Sequence, residues 1–187
     1  KNLREAYNLD DPLYLQLTKY VGSILTGDFG PSFQYRDYTV TELIMSGFPV
    51  SLRLGVAAIF LALILGGTIG TIAALNQNSR LDYSVMFFGM VGISIPNFVM
   101  APLLVLIFSI ALNILPAGGY ANGAPLHMIL PVVALALPQA AYIARLTRGS
   151  MIEVLNSNFV RTTRAQGLPL NTIIFKHVLK PTFLPVI

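Results

Sequence analysis

The sequence has no cysteine and few charged residues. Among its 187 residues, Lys and Arg number 12 and Asp and Glu number 8, so only 11% of the chain is charged, whereas a soluble globular domain carries roughly 25%. An ordinary soluble fold is therefore not expected. The absence of Cys excludes disulfide frameworks, thiolate metal sites and cysteine nucleophiles within this chain.

The uncharged positions are concentrated in two long runs. No charged residue occurs in the 26 residues 54–79 or in the 62 residues 83–144. A helix that crosses a bilayer needs about 20 apolar residues, because it rises about 1.5 Å per residue through a core of roughly 30 Å. The first run therefore fits one crossing, and the second fits two with a reversal. The sequence predicts an all-α polytopic membrane protein with at least three spans, at about 50–75, 83–115 and 128–147.

The charges that remain predict the orientation of these spans. Residues 148–180 carry five basic side chains and one acidic side chain, and residues 1–47 carry four basic and six acidic ones. Because Lys and Arg favour cytoplasmic loops, we place residues 148–180 inside and 1–47 outside, as an extracytoplasmic segment. We expect further spans on both flanks, the second of them beginning at 181–187.

Turn and capping patterns predict where the shorter helices begin and end. In the first segment, Asp11 followed by Pro12 predicts a helix start, and the helix should reach Gly27. A turn-rich loop follows it, and Thr39 with Glu42 three residues later predicts a capped turn.

A similar pattern follows the third span. Ser150 and Glu153 have the spacing of a capping box, so a helix should start at Ser150. Gly167 should end that helix in the left-handed conformation, and a second helix should begin at Pro169. The result would be a compact basic knob.

Small residues recur every four positions along the first span, which gives one helix face a flat stripe. The stripe could form a dimerisation face or pack within the same chain, and we favour packing within the chain. Its members are Ala58, Ala62, Gly66, Gly70 and Ala74.

Polar and helix-breaking residues within the other spans are candidates for a translocation path. Pro96, beside Asn97, and Pro102 predict a kink, which is explained either by a permeation path or, more simply, by packing. Gln139 and Tyr142 could face a water-filled passage, although hydrogen bonding between helices is the simpler interpretation.

The sequence lacks the residues that several other functions require. No phosphate-binding G-x-x-x-x-G-K-[ST] motif occurs, so ATP must be bound elsewhere. Apart from Arg53 and Arg145 near their ends, the predicted spans contain no Asp, Glu, Lys or Arg, which disfavours an ion-coupled secondary transporter. His127 and His177 should lie on opposite sides of the membrane, and no metal cluster or nucleophile with its base is visible. We therefore expect a transport subunit rather than an enzyme, and no metal site.

Three motifs carry a family resemblance. The segments 161–168 and 177–181, read as RTTRAQGL and HVLKP, resemble the cytoplasmic loop motif of binding-protein-dependent ABC importer permeases. In the peptide branch this motif reads roughly RTARAKGL, so Thr163 and Gln166 are mild departures. Segments 27–33 and 145–155 resemble the external segment and the loop entry of the B-type membrane subunit of oligopeptide permeases.

The resemblance implies the function and the partners. It implies the transmembrane domain of an ATP-driven importer, over residues 48–187, in the bacterial cytoplasmic (inner) membrane. Oligopeptides would be the cargo, and dipeptides, glutathione or chelated nickel are alternatives within the family. The partners would be a second related permease subunit, two ATPase subunits that hold ATP and magnesium, a solute-binding protein, the lipid bilayer and the peptide, but no nucleic acid.

The resemblance also implies which residues act. The loop 148–180 would lie in a groove of an ATPase subunit and transmit nucleotide-driven closure to the membrane helices. The expected coupling residues are Arg161, Thr162, Thr163, Arg164, Ala165, Gly167 and Leu168. The expected contacts for the solute-binding protein are Asp28, Phe29, Gly30, Pro31 and Ser32.

Overall fold

The computed structural model of the chain describes residues 11–35 and 37–186, and its regular structure is helical. In these residues the one extended pairing is an isolated antiparallel bridge between Pro31 and Thr39. The predicted all-α fold is confirmed. Residues 1–10 of the predicted extracytoplasmic segment, Arg36, and Ile187 at the predicted start of a further span lie outside the described residues.

The first of two compact units, Lys1–Arg53, contains helix α1 over Leu13–Leu25. The prediction that Asp11 begins this helix is wrong, because Pro12 takes the capping position and no side chain caps the helix. The Asp11 carboxylate instead accepts a hydrogen bond from Lys19 Nζ at 2.6 Å, since a charged partner gives a stronger hydrogen bond than a backbone amide.

Helix α2 covers Val40–Leu75 and starts with the predicted capping box. Thr39 Oγ1 accepts from the Glu42 amide at 3.1 Å, and Glu42 Oε2 accepts from the Thr39 amide at 2.8 Å. Each side chain thus satisfies a backbone donor that the first turn leaves free. The helix continues past Pro49, so it begins well before the crossing that we predicted from residue 50.

The second unit, Leu54–Ile187, contains the rest of α2 and the helices that follow. They are α3 over Arg80–Ser94, α4 over Asn97–Leu104 with a π-helical continuation over Val105–Ala111, α5 over Pro125–Leu155, α6 over Asn158–Ala165, the single turn α7 over Leu170–Thr172, a π-helical stretch over Ile173–Val178, and α8 over Leu179–Phe183. Within the described residues, α2 and α5 are long and apolar enough to cross a membrane. A third crossing results if Arg80–Ser94 and Asn97–Ala111 form one broken span.

The predicted kink is a full break between α3 and α4. The two helical segments, Arg80–Ser94 and Asn97–Ala111, are bent by 104°. Ile95, between them, is extended with φ −85° and ψ 117°, because a residue before proline is kept out of the helical region. Pro96 therefore causes the break, whereas Pro102 lies inside α4 without ending it.

The stripe of small residues on α2 packs against α5 of the same chain. A Cβ atom built on Gly70 would lie 2.5 Å from the Ala144 carbonyl oxygen, and one on Gly66 would lie 2.5 Å from the Ala140 carbonyl oxygen. Real Cβ atoms do not approach a backbone oxygen so closely, so only glycine allows this helix contact. The predicted packing within the chain is confirmed.

Helix α5 extends further than its sequence pattern predicts. The prediction of a helix start at Ser150 is wrong, because α5 continues through this residue to Leu155. Met151, in the same turn as Ser150, is completely buried in a hydrophobic cluster with Ala74 and Val160. Packing of the helical face thus outweighs the local capping signal.

Candidate functional site

The segment that carries the predicted coupling motif forms a compact structure, here called the knob and defined as residues 157–178. Its apolar side chains pack on the ends of α2 and α5. The buried members of this cluster are Ala74 and Met151 from the long helices and Val160, Ile173, Ile174 and Val178 from the knob. Because the knob shares a buried core with the long helices, a force on the knob reaches them directly.

Helix α6 begins where the local sequence can cap it. Ser157 has extended backbone angles, and its Oγ accepts from the Val160 amide at 3.4 Å. One face of α6 is buried through Val160 and Thr163. Thr163 Oγ1 donates to a carbonyl oxygen of the preceding turn, with Val160 O at 2.9 Å and Phe159 O at 3.0 Å. These bonds satisfy the Thr163 hydroxyl within α6 itself, and its side chain is buried and does not face outward.

An exposed face of α6 beside the buried one presents two cations. Arg161 and Arg164 are both exposed, and neither forms a salt bridge with any acidic side chain in residues 11–35 and 37–186. They lie three positions apart, which places them as neighbours on one helix face. Guanidinium groups on such a face can form bidentate pairs with carboxylates of a partner.

The turn after α6 brings backbone to the surface. Gly167 has φ +78°, so the predicted left-handed helix terminator is confirmed. A Cβ atom at this position would meet no heavy atom within 4 Å, so the surface beside Gly167 is open. Within the knob, α6 contacts the π-helical stretch Ile173–Val178. The rings of Phe159 and His177 pack edge to face there, with centroids 5.6 Å apart.

The structure thus separates the seven predicted coupling residues into two groups. Thr163 is buried, and the other six are exposed on one continuous segment. The exposed residues are Arg161, Thr162, Arg164, Ala165, Gly167 and Leu168.

The predicted contact for a solute-binding protein is a tight loop in the first unit. Asp28 Oδ1 accepts from the Gly30 amide at 2.9 Å, and Gly30 itself has φ +77°. Thr41 Oγ1 donates to the Gly27 carbonyl at 2.9 Å and accepts from the Phe29 amide at 3.1 Å. The loop Asp28, Phe29, Gly30, Pro31 and Ser32 is therefore fixed to the first turn of α2.

The four predicted path residues lie in two places. Pro96 and Asn97 are exposed at the break between α3 and α4, and Gln139 and Tyr142 are exposed on one face of α5. Neither Gln139 nor Tyr142 makes an interhelical hydrogen bond to another described residue, and both interpretations of these two side chains stay predictions. Tyr142 instead lies under the Arg145 guanidinium, 5.7 Å from its ring centroid.

A separate cavity of about 400 Å³ lies among α2, α3, α4 and α5. Its lining includes Met100, Leu137 and Ala140 and is almost entirely apolar, with Ser84 and Arg145 as the exceptions. None of the four predicted path residues lines it. An apolar cavity offers almost no hydrogen-bond partners to a peptide backbone, which is costly to desolvate, so this cavity is not a candidate path for peptides.

One ion pair was missed by the sequence reasoning. Arg148 Nε donates to Asp82 Oδ1 at 2.5 Å, and Arg148 Nη2 donates to Asp82 Oδ2 at 2.6 Å. Asp82 is fully buried. The sequence contained an indication of this pair, because Asp82 directly precedes the uncharged run 83–144 and Arg148 comes shortly after that run. An uncharged run that crosses the membrane and returns brings its two ends to the same side.

Curated relatives match the chain over its whole length, and a family model matches its larger part. The family model described as "Binding-protein-dependent transport system inner membrane component" matches residues 66–187. The oligopeptide transport system permease protein OppB is 57% identical over 186 residues in both Salmonella typhimurium and Escherichia coli K12. The dipeptide transport system permease protein DppB of Bacillus subtilis is 48% identical over 187 residues. The alignments cover 100% of this chain but only 61% of each OppB and 60% of DppB.

Proposed function

Because the chain belongs to the family of binding-protein-dependent transport system inner membrane components, we propose that it is part of a membrane subunit of an ATP-driven importer of oligopeptides. The observation that carries this proposal is the 57% identity to OppB over 186 residues. The preference for oligopeptides rests on OppB, since among the Bacillus subtilis relatives the dipeptide permease DppB, at 48% identity, is more similar to the chain than the oligopeptide permease AppB, at 37%.

In this proposal the knob docks on an ATPase subunit at the inner face of a bacterial cytoplasmic membrane. Its exposed Arg161 and Arg164 suit an acidic groove, and the open surface at Gly167 allows a partner backbone to approach closely. The partner subunits bind ATP and magnesium and supply the energy. This chain contributes no bond chemistry, and its part is to convert closure of the ATPases into movement of α5 and the helices packed on it.

The remaining partners follow from the same proposal. A second, related permease subunit completes the path, and a solute-binding protein delivers the peptide to the loop 28–32. Asn97 at the helix break and Gln139 and Tyr142 on α5 are candidates to line the path, because their polar groups are exposed and can offer hydrogen bonds to a passing peptide.

The cargo can be tested by competition for uptake. In cells that express the whole transporter, unlabelled tetrapeptides and pentapeptides should displace a labelled tetrapeptide, whereas a dipeptide, glutathione and a nickel chelate should compete weakly. Strong competition by the nickel chelate or by glutathione would contradict the proposed cargo.

The role of the knob can be tested at Gly167. Gly167→Trp should leave membrane insertion intact and abolish ATP-dependent uptake, because the indole has space in this chain but would occupy the surface proposed to meet the ATPase. Any L-residue at this φ costs about 1–2 kcal/mol, so Gly167→Ala is the matched control for backbone strain. Uptake should persist in Gly167→Ala, and unchanged uptake in Gly167→Trp would contradict the docking role.

A further inference from the structure

A buried carboxylate that the proposed function leaves without a role lies at the first turn of α3. Asp82 is fully buried, and both of its oxygens are occupied. Oδ1 accepts from Arg148 Nε at 2.5 Å, and Oδ2 accepts from Arg148 Nη2 at 2.6 Å and from the Asn78 amide at 3.0 Å. The carboxylate is therefore held by a bidentate charged pair and by a backbone donor.

The local structure fixes Asp82 in place before Arg148 is considered. Ser79 caps α3 by accepting from the Asp82 amide at 3.2 Å, so Asp82 lies in the first turn of that helix. A negative charge there is stabilised by the partial positive charge of the helix N-terminus. Because both the Asp82 backbone and its carboxylate are fixed, a displacement of Arg148 moves the start of α3 with it.

Arg148, the partner of Asp82, lies on α5 close to the residues that anchor the knob. It lies on α5 three residues before Met151, which is fully buried in the cluster that anchors the knob. The Arg148 side chain is 24% exposed, and the Asp82 side chain is 0% exposed. The knob, the end of α5 and the start of α3 thus form one continuous chain of contacts.

Helix α3 then leads to the break at Pro96. The segments on either side of the break are bent by 104°, and Asn97, a candidate path residue, begins the second segment. A rotation of α3 would change this angle, because the extended residue Ile95 separates the two helices and no continuous helical hydrogen-bond ladder stiffens the connection.

From this geometry we propose that Asp82 and Arg148 are positioning residues that transmit displacement of the knob to the helix break at Pro96. The inference rests on the proposed function, since the displacement is the one that ATPase closure would cause. The alternative is that the pair only joins α3 to α5 and contributes to stability. The two hypotheses predict different results when the pair is lost. Only the coupling role predicts that ATP hydrolysis continues while less peptide is transported.

The test measures peptide transported per ATP hydrolysed by the full-length transporter in proteoliposomes. Arg148→Met should lower this ratio by about tenfold, a typical size for coupling between two sites, while ATP hydrolysis continues. Arg148→Lys keeps the charge but loses the bidentate geometry, and its ratio should be intermediate. Arg80→Met is the matched control, because Arg80 is an exposed cation in the same first turn of α3 as Asp82. Its ratio should equal that of the wild type.

A double variant separates coupling from folding. Arg148→Met leaves a buried carboxylate unpaired, which is costly in itself, whereas Asp82→Asn combined with Arg148→Met removes both charges. The double variant should assemble as well as the wild type and still show the lowered ratio. A wild-type ratio in the double variant would overturn the proposal, and so would failure of all these variants to assemble, because the pair would then be purely structural.

A second measurement reports the movement itself. Residues 1–187 contain no cysteine, so spin labels can be introduced at Ser84→Cys on α3 and Phe98→Cys on α4 of a transporter from which cysteines outside this segment have been removed. The distance between the labels should change when the assembled wild-type transporter is trapped with ATP, and it should stay constant with Arg148→Met. Equal changes in both would overturn the proposal. If the wild type shows no ATP-driven uptake, the proposed function fails; wild-type uptake with an unchanged ratio in the variants contradicts this inference alone.

Discussion

A full-length protein that carries both Arg161→Glu and Arg164→Glu is expected to lose its ATPase subunits during purification. Both side chains are exposed on one face of α6, and the proposed groove that receives them is acidic. Each charge reversal should weaken docking by about 2 kcal/mol, at the lower end of values for close charge pairs across interfaces. Together they should lower the affinity by about a thousandfold. Co-purification with the ATPase, followed by titration of the purified subunits, measures this loss.

The matched control changes the net charge equally at a different place. Arg80→Glu with Arg145→Glu also reverses two exposed cations, but both lie outside the knob and outside the loop 148–180. This control should retain ATPase subunits. Equal loss of ATPase in both double variants would show that net charge matters rather than the α6 face. Full retention with Arg161→Glu and Arg164→Glu would contradict docking through that face.

A second large effect is expected for Gly70→Leu, which should prevent α2 and α5 from packing together. The new Cβ atom would lie 2.5 Å from the Ala144 carbonyl oxygen and 2.8 Å from the Thr147 Cβ atom. Because one neighbour is backbone and the other is attached directly to it, neither can move aside as a flexible side chain could. Overpacking of this kind costs about 3 kcal/mol, so the variant should unfold at a lower temperature and accumulate poorly in the membrane.

Gly55→Leu on the same helix is the control for this prediction. A Cβ atom at Gly55 meets nothing within 4 Å, so leucine there changes helix propensity and apolarity without a clash. Thermal unfolding of the detergent-solubilised full-length protein should give a midpoint at or above that of the wild type for Gly55→Leu, because leucine is the better helix former, and a clearly lower one for Gly70→Leu. Equal midpoints for the two variants would contradict the close helix contact.

The sequence predicted those features of the fold that depend on residues close together in the chain. Small residues every four positions gave α2 its packing face, because a helix brings such positions onto one side. The capping box of Thr39 and Glu42 and the left-handed Gly167 were also predicted correctly. Each of these depends on one turn of backbone and a few side chains, so short-range chemistry is sufficient.

The wrong predictions of helix starts have a common cause, which is an interaction that the local sequence pattern does not include. Ser150 and Glu153 have capping-box spacing, but the burial of Met151 keeps α5 continuous through them. Asp11 pairs with Lys19 instead of capping α1. In each case a partner outside the local pattern supplies a stronger interaction.

The candidate site was predicted in part. The residues of the knob were identified by resemblance, yet only the fold separates the buried Thr163 from the exposed cations of α6. The pair of Asp82 and Arg148 lies 66 residues apart in sequence, and its bidentate geometry depends on how α3 packs on α5. Sequence could place these two side chains on the same side of the membrane but could not bring them into contact.

The most direct test of the account is accumulation of a labelled tetrapeptide in proteoliposomes that contain the complete transporter, with the solute-binding protein outside and ATP inside. We expect the peptide to accumulate above its external concentration with ATP, to show no accumulation with ADP, and to be unaffected by an ionophore that collapses the proton gradient. Accumulation that continues with ADP and stops with the ionophore would contradict an ATP-driven importer and would indicate an ion-coupled transporter instead.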